Sequence, residues 1–256
     1  STQLGRISLM RGLAEYMSRM GKKAYICPKS LVTVNRYSYT PYIFSKKEIA
    51  SIFYACDNFP ASKESPNRQI ILSLVIRMIY GCGLRISEAV NLTISDVNLN
   101  EGTIFIKDTK FGKERLIPMA DTLKKRCREY SILVLTGKSD TSYFFPSPFG
   151  GHYKSNTIYG LFRKVLWAAG ISHTGKGPRL HDMRHTYAVH CLKKWALANR
   201  DMTNCMPYLS AYLGHEDLRG SQRYLRLTAD LYPDITSKVE KNCSWLIPEV
   251  NWHETY

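Results

Sequence analysis

Hydrophobic positions recur at helical spacing near the start of the chain. Between Arg6 and Met20, Ile7, Met10, Leu13, Ala14 and Met17 share one helical face, and Gly21 is a natural stop. A single amphipathic helix cannot bury its own face. Because the chain opens at Ser1 inside this segment, the helix is expected to be the remnant of a truncated N-terminal domain. The stretch that follows, up to Pro41, is basic, contains Tyr and Pro and has no helical period, as a linker would. The expected organisation is a helix in 1–23, a linker in 24–41, a main domain in 42–234 and a tail in 235–256.

Within the main domain, Ser45 is a plausible N-cap, and Glu48 three residues later completes a capping box. Gln69 to Tyr80 is nearly all apolar and predicts a buried helix, which Gly81-Cys82-Gly83 breaks. A short helix carrying Arg85 to Leu92 comes next. Alternation in Thr103 to Lys107 and again in Glu114 to Pro118, with Phe111-Gly112 between them, predicts a hairpin. Beyond Ala120 the pattern is mostly helical, with loops at Pro146 to Gly151 and His173 to Pro178. The fold class is α+β, mainly α, with one small antiparallel sheet. No internal repeat or low-complexity tract interrupts it.

Charge narrows the class of partner. Lys and Arg total 36 against 21 acids, a formal net charge of +15. Such an excess favours a polyanion, nucleic acid being the commonest, although a solvated basic surface is the competing reading. The basic residues are spread along the chain, which suggests a folded face rather than an arm. The seven cysteines (Cys27, Cys56, Cys82, Cys127, Cys191, Cys205, Cys243) lack the close spacing of a zinc knuckle or redox pair, and read as reduced, mostly buried thiols. The most apolar run, Ile70 to Ile76, includes Ser73 and stops at Arg77, far short of the ~20 residues a membrane helix needs. No signal peptide is visible, so a cytoplasmic, bacterial, DNA-associated location is expected.

Four local patterns carry chemistry. In Gly83-Leu84-Arg85-Ile86-Ser87-Glu88, an Arg and a Glu lie one turn apart at a helix start, which a surface ion pair would also explain. Lys110 sits at the hairpin tip beside Gly112, Lys113 and Arg115; such a tip can be merely solvated, or can enter a DNA groove. In His181-Asp182-Met183-Arg184-His185, His181 and Arg184 share a face and could touch one phosphate. His181 and His185 also have the spacing of a zinc helix, but Asp182 stands where that motif has Glu, and Arg184 would put positive charge beside the metal. Finally, Leu213-Gly214-His215 precedes Tyr224 by nine positions from the histidine, one tyrosine among 17.

Taken in order, Arg85, Lys110, His181-x-x-Arg184, Gly214-His215 and Tyr224 resemble the signature of the tyrosine recombinase (integrase) family, which includes phage and transposon integrases. The similarity runs from about Tyr42 to about Asp234, and the helix before it resembles the last helix of the family's core-binding domain. The stretch between Arg184 and His215 is longer than the family pattern, and Asn199 to Met206 looks like an insertion.

The resemblance implies an enzyme that cuts and rejoins DNA at specific sites to integrate or excise a mobile element. Tyr224 would attack the phosphodiester and form a 3′-phosphotyrosine. Arg85 and Arg184 would clamp the phosphate, His181 and His215 would hydrogen-bond it, and one of these two would take the phenol proton. Lys110 would protonate the departing 5′ oxygen, and Glu88 would hold the helix and its arginine in place. No cofactor or metal is expected. The implied partners are double-stranded DNA with specific recombination sites, three further copies in a homo-tetramer, and an accessory DNA-bending or excision factor; no membrane is implied. Tyr232 to Tyr256 carries Trp245, Leu246, Ile247 and Trp252, which would pack on their own domain or dock on a neighbouring protomer. The rival readings are a type IB topoisomerase, a non-catalytic DNA-binding regulator and a zinc hydrolase.

Overall fold

The computed structural model describes residues 2–31, 40–107, 112, 114–175, 177–215 and 219–232. Two units are present, Ser1–Thr40 and Pro41–Tyr256.

In the first unit, α1 (Thr2–Arg19) ends where Gly21 takes a φ of +73°, and the Lys22 N–H returns to the Met17 carbonyl. Glycine adopts that left-handed turn without a Cβ penalty. Leu9, Met10, Leu13, Tyr16 and Met20 are all exposed along this helix. Part of the segment read as a linker is bonded back to this helix. Arg11 donates from Nε to the Cys27 carbonyl at 2.7 Å and from Nη2 to that of Pro28 at 3.1 Å, and Lys29–Leu31 form a 3-10 turn. Side chain to backbone bonds of this kind leave no hydrophobic period to read.

The second unit begins its helices with α2 (Lys46–Asp57). The Ser45 N–H donates to Glu48 Oε2 at 2.7 Å, and the Glu48 N–H donates to Ser45 Oγ at 3.2 Å, the expected capping box. α3 (Arg68–Gly81) is one residue longer at each end than its pattern predicts, and Ile71 to Ile76, Met78 and Ile79 are buried on all sides. Each apolar side chain among them stabilises the fold by about 1.5–3 kcal/mol when fully buried. α4 (Ile86–Asn91) follows, then the strands β1 (Val97–Asn98), β2 (Thr103–Ile106) and β3 (Arg115–Pro118), antiparallel in the order β1-β2-β3. Ile104 pairs with Ile117 and Ile106 with Arg115, which places Ile104, Ile106 and Ile117 inward and leaves Phe105 and Leu116 exposed. Two-residue β1 is too short for alternation to announce it. The hairpin tip, including Lys110 and Phe111, lies outside the described residues, although Gly112 has a φ of +66°.

The remaining helices are α5 (Asp121–Tyr130), which continues into a π-helical turn at Ser131–Leu135, α6 (Ser155–Ala168), α7 (Asp182–Leu197), α8 (Met202–Leu213) and α9 (Arg219–Leu231). The stretch Asn199 to Met206, read as an insertion, forms the α7–α8 turn and the first residues of α8. Asn199 makes the turn at a φ of +51°, Asp201 caps α8 by accepting the Thr203 N–H at 2.9 Å, and Met202 and Met206 are buried. Two cores result: one joins α2 to α6 with the sheet, and the other joins α7, α8 and α9. Of the described cysteines, Cys56, Cys82 and Cys127 are buried and all six are free thiols. Among the described residues, no helix is long and apolar enough to cross a membrane, and no group of three His, Cys, Asp or Glu could hold a metal ion.

Candidate active site

The site forms where the two cores of the second unit meet, and glycines set its first corner. After α3 the chain turns at Gly83, whose φ is +59°; a Cβ there would lie 2.7 Å from Leu213 and 2.9 Å from Tyr187. Only glycine fits both the conformation and the contact. Arg85 then stands at the N-cap of α4. Glu88, one turn on, accepts the Arg85 backbone N–H at 2.8 Å and its Nη1 at 2.6 Å. From β3, Arg115 grips the same carboxylate with both terminal nitrogens, at 3.1 and 2.8 Å, and Arg184 Nη1 lies 3.8 Å away. Burial alone would raise the Glu88 carboxyl. The hydrogen bonds and charge of Arg115, helped by the Arg85 N–H and the Arg184 charge, hold it below its ordinary value instead.

The end of α8 closes the corner. Gly214 caps it at a φ of +64°, and a Cβ there would lie 2.7 Å from Arg115 Nη1, so the glycine serves both the helix cap and the arginine. Its carbonyl accepts Arg85 Nη2 at 3.3 Å, while Arg115 Nε donates to the Tyr212 carbonyl at 3.0 Å. Arg184 is 1% exposed, and its fork donates to the carbonyls of Gly83 and Leu213. Arg184 is therefore turned into the protein, while His181, one turn before it, stays exposed at the surface. Arg85 remains 26% open at its side chain, against a cleft of about 430 Å³ also lined by Ser87, Asn91, Lys107 and Tyr143.

Opposite the arginines, aromatic rings surround Tyr224 on α9. His181, at the start of α7, meets His185 edge to face, with centroids 4.7 Å apart. His185 Nδ1 lies 2.9 Å from the Tyr224 hydroxyl. His215 lies nearly parallel to the Tyr224 ring at 5.9 Å, and its Nδ1 is 2.8 Å from Ser221 Oγ. Tyr224 is only 3% exposed.

Residues 43–230 match the model of the phage integrase family. The chain is 30% identical over 250 residues to an integrase/recombinase of Sinorhizobium fredii, covering 92% of this chain and 77% of that protein. It is 31% identical over 162 residues to the tyrosine recombinase XerC of Oceanobacillus iheyensis, covering 61% of this chain and 49% of that protein. The fold matches the XerH site-specific recombinase, crystallised with its difH substrate, with a TM-score of 0.68 and 23% identity over 91% of this chain and 65% of that one. The chain belongs to the phage integrase family of tyrosine recombinases.

Members of this family cleave and rejoin DNA strands in site-specific recombination, and the chain is an enzyme of that kind. The topoisomerase alternative is not favoured. In the recombinase, burial, followed by the charges of Arg184 and Arg85, pushes His181 down to about 4. His185 falls to about 3 through burial and the proximity of His181, Arg223, Arg184 and His215. Arg184 is lowered to about 10 by burial and by Arg85, and stays charged at neutral pH. Burial also raises Tyr224, against the pull of Arg184, Arg223 and Arg85. The resting site therefore pairs neutral imidazoles and a protonated phenol with an excess of guanidinium charge, an arrangement that an entering anion would relieve.

The structure brings Arg85, Glu88, His181, Arg184, His215 and Tyr224 together, whereas Lys110 lies outside the described residues. Three participants were missed from the sequence. His185 figured there only as a zinc ligand, yet it touches the phenol; its position one turn after His181 was the available signal. Arg115 figured only as part of a basic tip, although strand parity with inward-facing Ile117 points it at Glu88. Ser221 gave no signal, because a serine six residues after a histidine belongs to no recognisable motif.

Proposed function

We propose that this recombinase cuts one DNA strand by attack of the Tyr224 oxygen on phosphorus, giving a 3′-phosphotyrosine and a free 5′ hydroxyl that later reverses the attack. The observation that carries this reading is the Tyr224 hydroxyl held against an imidazole, within the field of Arg184, Arg223 and Arg85. Arg85, open to the cleft, donates directly to the non-bridging oxygens, and buried Arg184 supplies charge from behind. His181 and His215 hydrogen-bond the phosphate. Lys110 gives its proton to the departing 5′ oxygen, and Glu88 holds Arg85, Arg115 and Arg184 in register. The phosphotyrosine conserves the bond energy, so no nucleotide is consumed.

The partner is double-stranded DNA carrying specific sites, a reading supported by the +15 charge and by the DNA-bound state of the XerH neighbour. Two duplexes each cut on both strands require four copies. The recombinase integrates or excises a mobile element in the bacterial cytoplasm, with an accessory DNA-bending or excision factor. The tail 235–256, outside the described residues, docks on a neighbouring protomer. Deleting it from Lys238 onward is expected to weaken assembly on DNA more than binding of one site, as read by gel shift. Equal loss of both would refute docking in trans.

The chemistry is tested with nicked suicide duplexes of randomised central sequence, from which the chain selects its own substrates as covalent adducts. Denaturing electrophoresis should show an adduct with the native chain and none with Tyr224→Phe. An adduct that persists moves the nucleophile, with Tyr232 next to be replaced.

A further inference from the structure

Three imidazoles surround the phenol, and they are not equivalent. His215 stacks on the Tyr224 ring, and its Nδ1 is engaged by Ser221 Oγ. His181 meets the ring of His185. Only His185, among the described contacts, places a ring nitrogen on the Tyr224 hydroxyl, at 2.9 Å. Arg184 and Arg223 also act on that phenol, but a guanidinium has no acceptor to offer its proton. An unprotonated Nδ1 of His185 does.

We propose that His185 is a catalytic residue of the cleavage step, the base that takes the Tyr224 proton as the oxygen attacks phosphorus. This rests on the reading of Tyr224 as nucleophile. The step balances as follows: the Tyr224 O–H bond breaks as the O–P bond forms, the proton passes to His185 Nδ1, and the P–O5′ bond breaks with its electron pair leaving on the 5′ oxygen, which takes a proton from the general acid, Lys110 in the proposed set. In rejoining, the 5′ hydroxyl attacks phosphorus, its proton returns to that acid, and the imidazolium gives the phenol its proton back.

The surroundings explain why the resting enzyme does not ionise its own nucleophile. His185 is half-buried, and the groups facing it are His181 and Arg184 from α7, Arg223 and Tyr224 from α9, and His215 just after α8. Burial and this positive neighbourhood hold the imidazole at about 3, a poor base without DNA. A phosphodiester seated against Arg85, with Arg184 behind it, adds negative charge to the same neighbourhood and restores basicity. Proton transfer is thereby tied to the presence of substrate.

The test uses the full chain and the nicked duplexes it selects, in ordinary form and with sulfur replacing the bridging 5′ oxygen, a leaving group that needs no acid. His185→Asn keeps an acceptor at the Nδ1 position but is no base; His185→Gln is the second variant. Single-turnover cleavage should fall about 10²- to 10³-fold in both. DNA affinity should be unchanged, the rate should rise tenfold per pH unit as hydroxide replaces the base, and the sulfur substrate should not restore it. A native rate in His185→Asn overturns the proposal by reducing His185 to a hydrogen-bond prop. Rescue by sulfur overturns it by moving the proton to the leaving group. If neither variant folds, ¹⁵N-histidine spectra of the native chain decide: an unprotonated Nδ1 on His185 is expected, and a protonated one rules the proposal out. An adduct in Tyr224→Phe would instead overturn the nucleophile assignment itself.

Discussion

The arginine side and the imidazole side of this site are held by different physics. Around Glu88, nearly every donor has a named acceptor: Arg115 and Arg85 share the carboxylate, and Arg184 spends its fork on two backbone carbonyls. Around Tyr224 the rings are packed edge to face or stacked, with the buried phenol hydroxyl against Nδ1 of half-buried His185, and Nδ1 of half-buried His215 against Ser221 Oγ. The first arrangement is a fixed electrostatic frame whose members have one geometry. The second keeps His181 and His185 neutral through packing and positive neighbours, which a charged ligand can offset. A frame that must not move and a nucleophile that must be released only on DNA thus occupy neighbouring halves of one pocket.

The sharpest way to break the frame is Glu88→Gln. It keeps the shape of the side chain but leaves Arg115, 9% exposed, and Arg184, 1% exposed, beside an uncharged amide. Removing one partner of a buried ion cluster typically costs about 3–5 kcal/mol. Urea denaturation should show a loss of that size, with cleavage falling in parallel. A loss under about 1 kcal/mol would mean that packing, not charge, holds the arginines.

The two sides should also separate on acidification. His181 at about 4 and His185 at about 3 both lie below the unfolded reference of ~6.5, so below that pH the unfolded chain binds protons that the folded chain refuses. Their contribution is complete above ~6.5 and is lost as pH falls through the lowered values of His181 and then His185. Glu88 is also held below its ordinary value, so its contribution is present above ~4.3 and lost only at still lower pH. Stability against pH should therefore begin to fall near 6, and replacing His181 with Asn should flatten that first decline while leaving the acid limb intact. A decline that starts only near 4 in the native chain would show that the imidazoles titrate normally.

The same contrast explains what could be read from the sequence. The helices from α2 to α4 announce themselves through Ser45-x-x-Glu48, the apolar run of α3 and the Gly81-Cys82-Gly83 break, all local signals. Arg85, Glu88, His181, Arg184, His215 and Tyr224 were legible because they lie in short motifs with fixed spacing. Arg115 and His185 were harder, since each acts across 27 and 39 residues of chain respectively, on Glu88 and Tyr224. The tie of Cys27 and Pro28 to α1 was hidden for a related reason: one arginine makes it, with no periodic pattern.

Ser221→Ala is the mildest test and separates stacking from hydrogen bonding on the imidazole side. The hydroxyl is wholly buried, and its contact with His215 Nδ1 at 2.8 Å fixes the ring that lies over Tyr224. Losing one such bond costs about 0.5–1.5 kcal/mol and leaves the stacked pair in place. Stability should drop by that amount, while cleavage falls about tenfold as His215 loses a defined tautomer. Full activity in this variant would mean that the stack alone orients His215, and that burial governs this half of the pocket down to its last hydrogen bond.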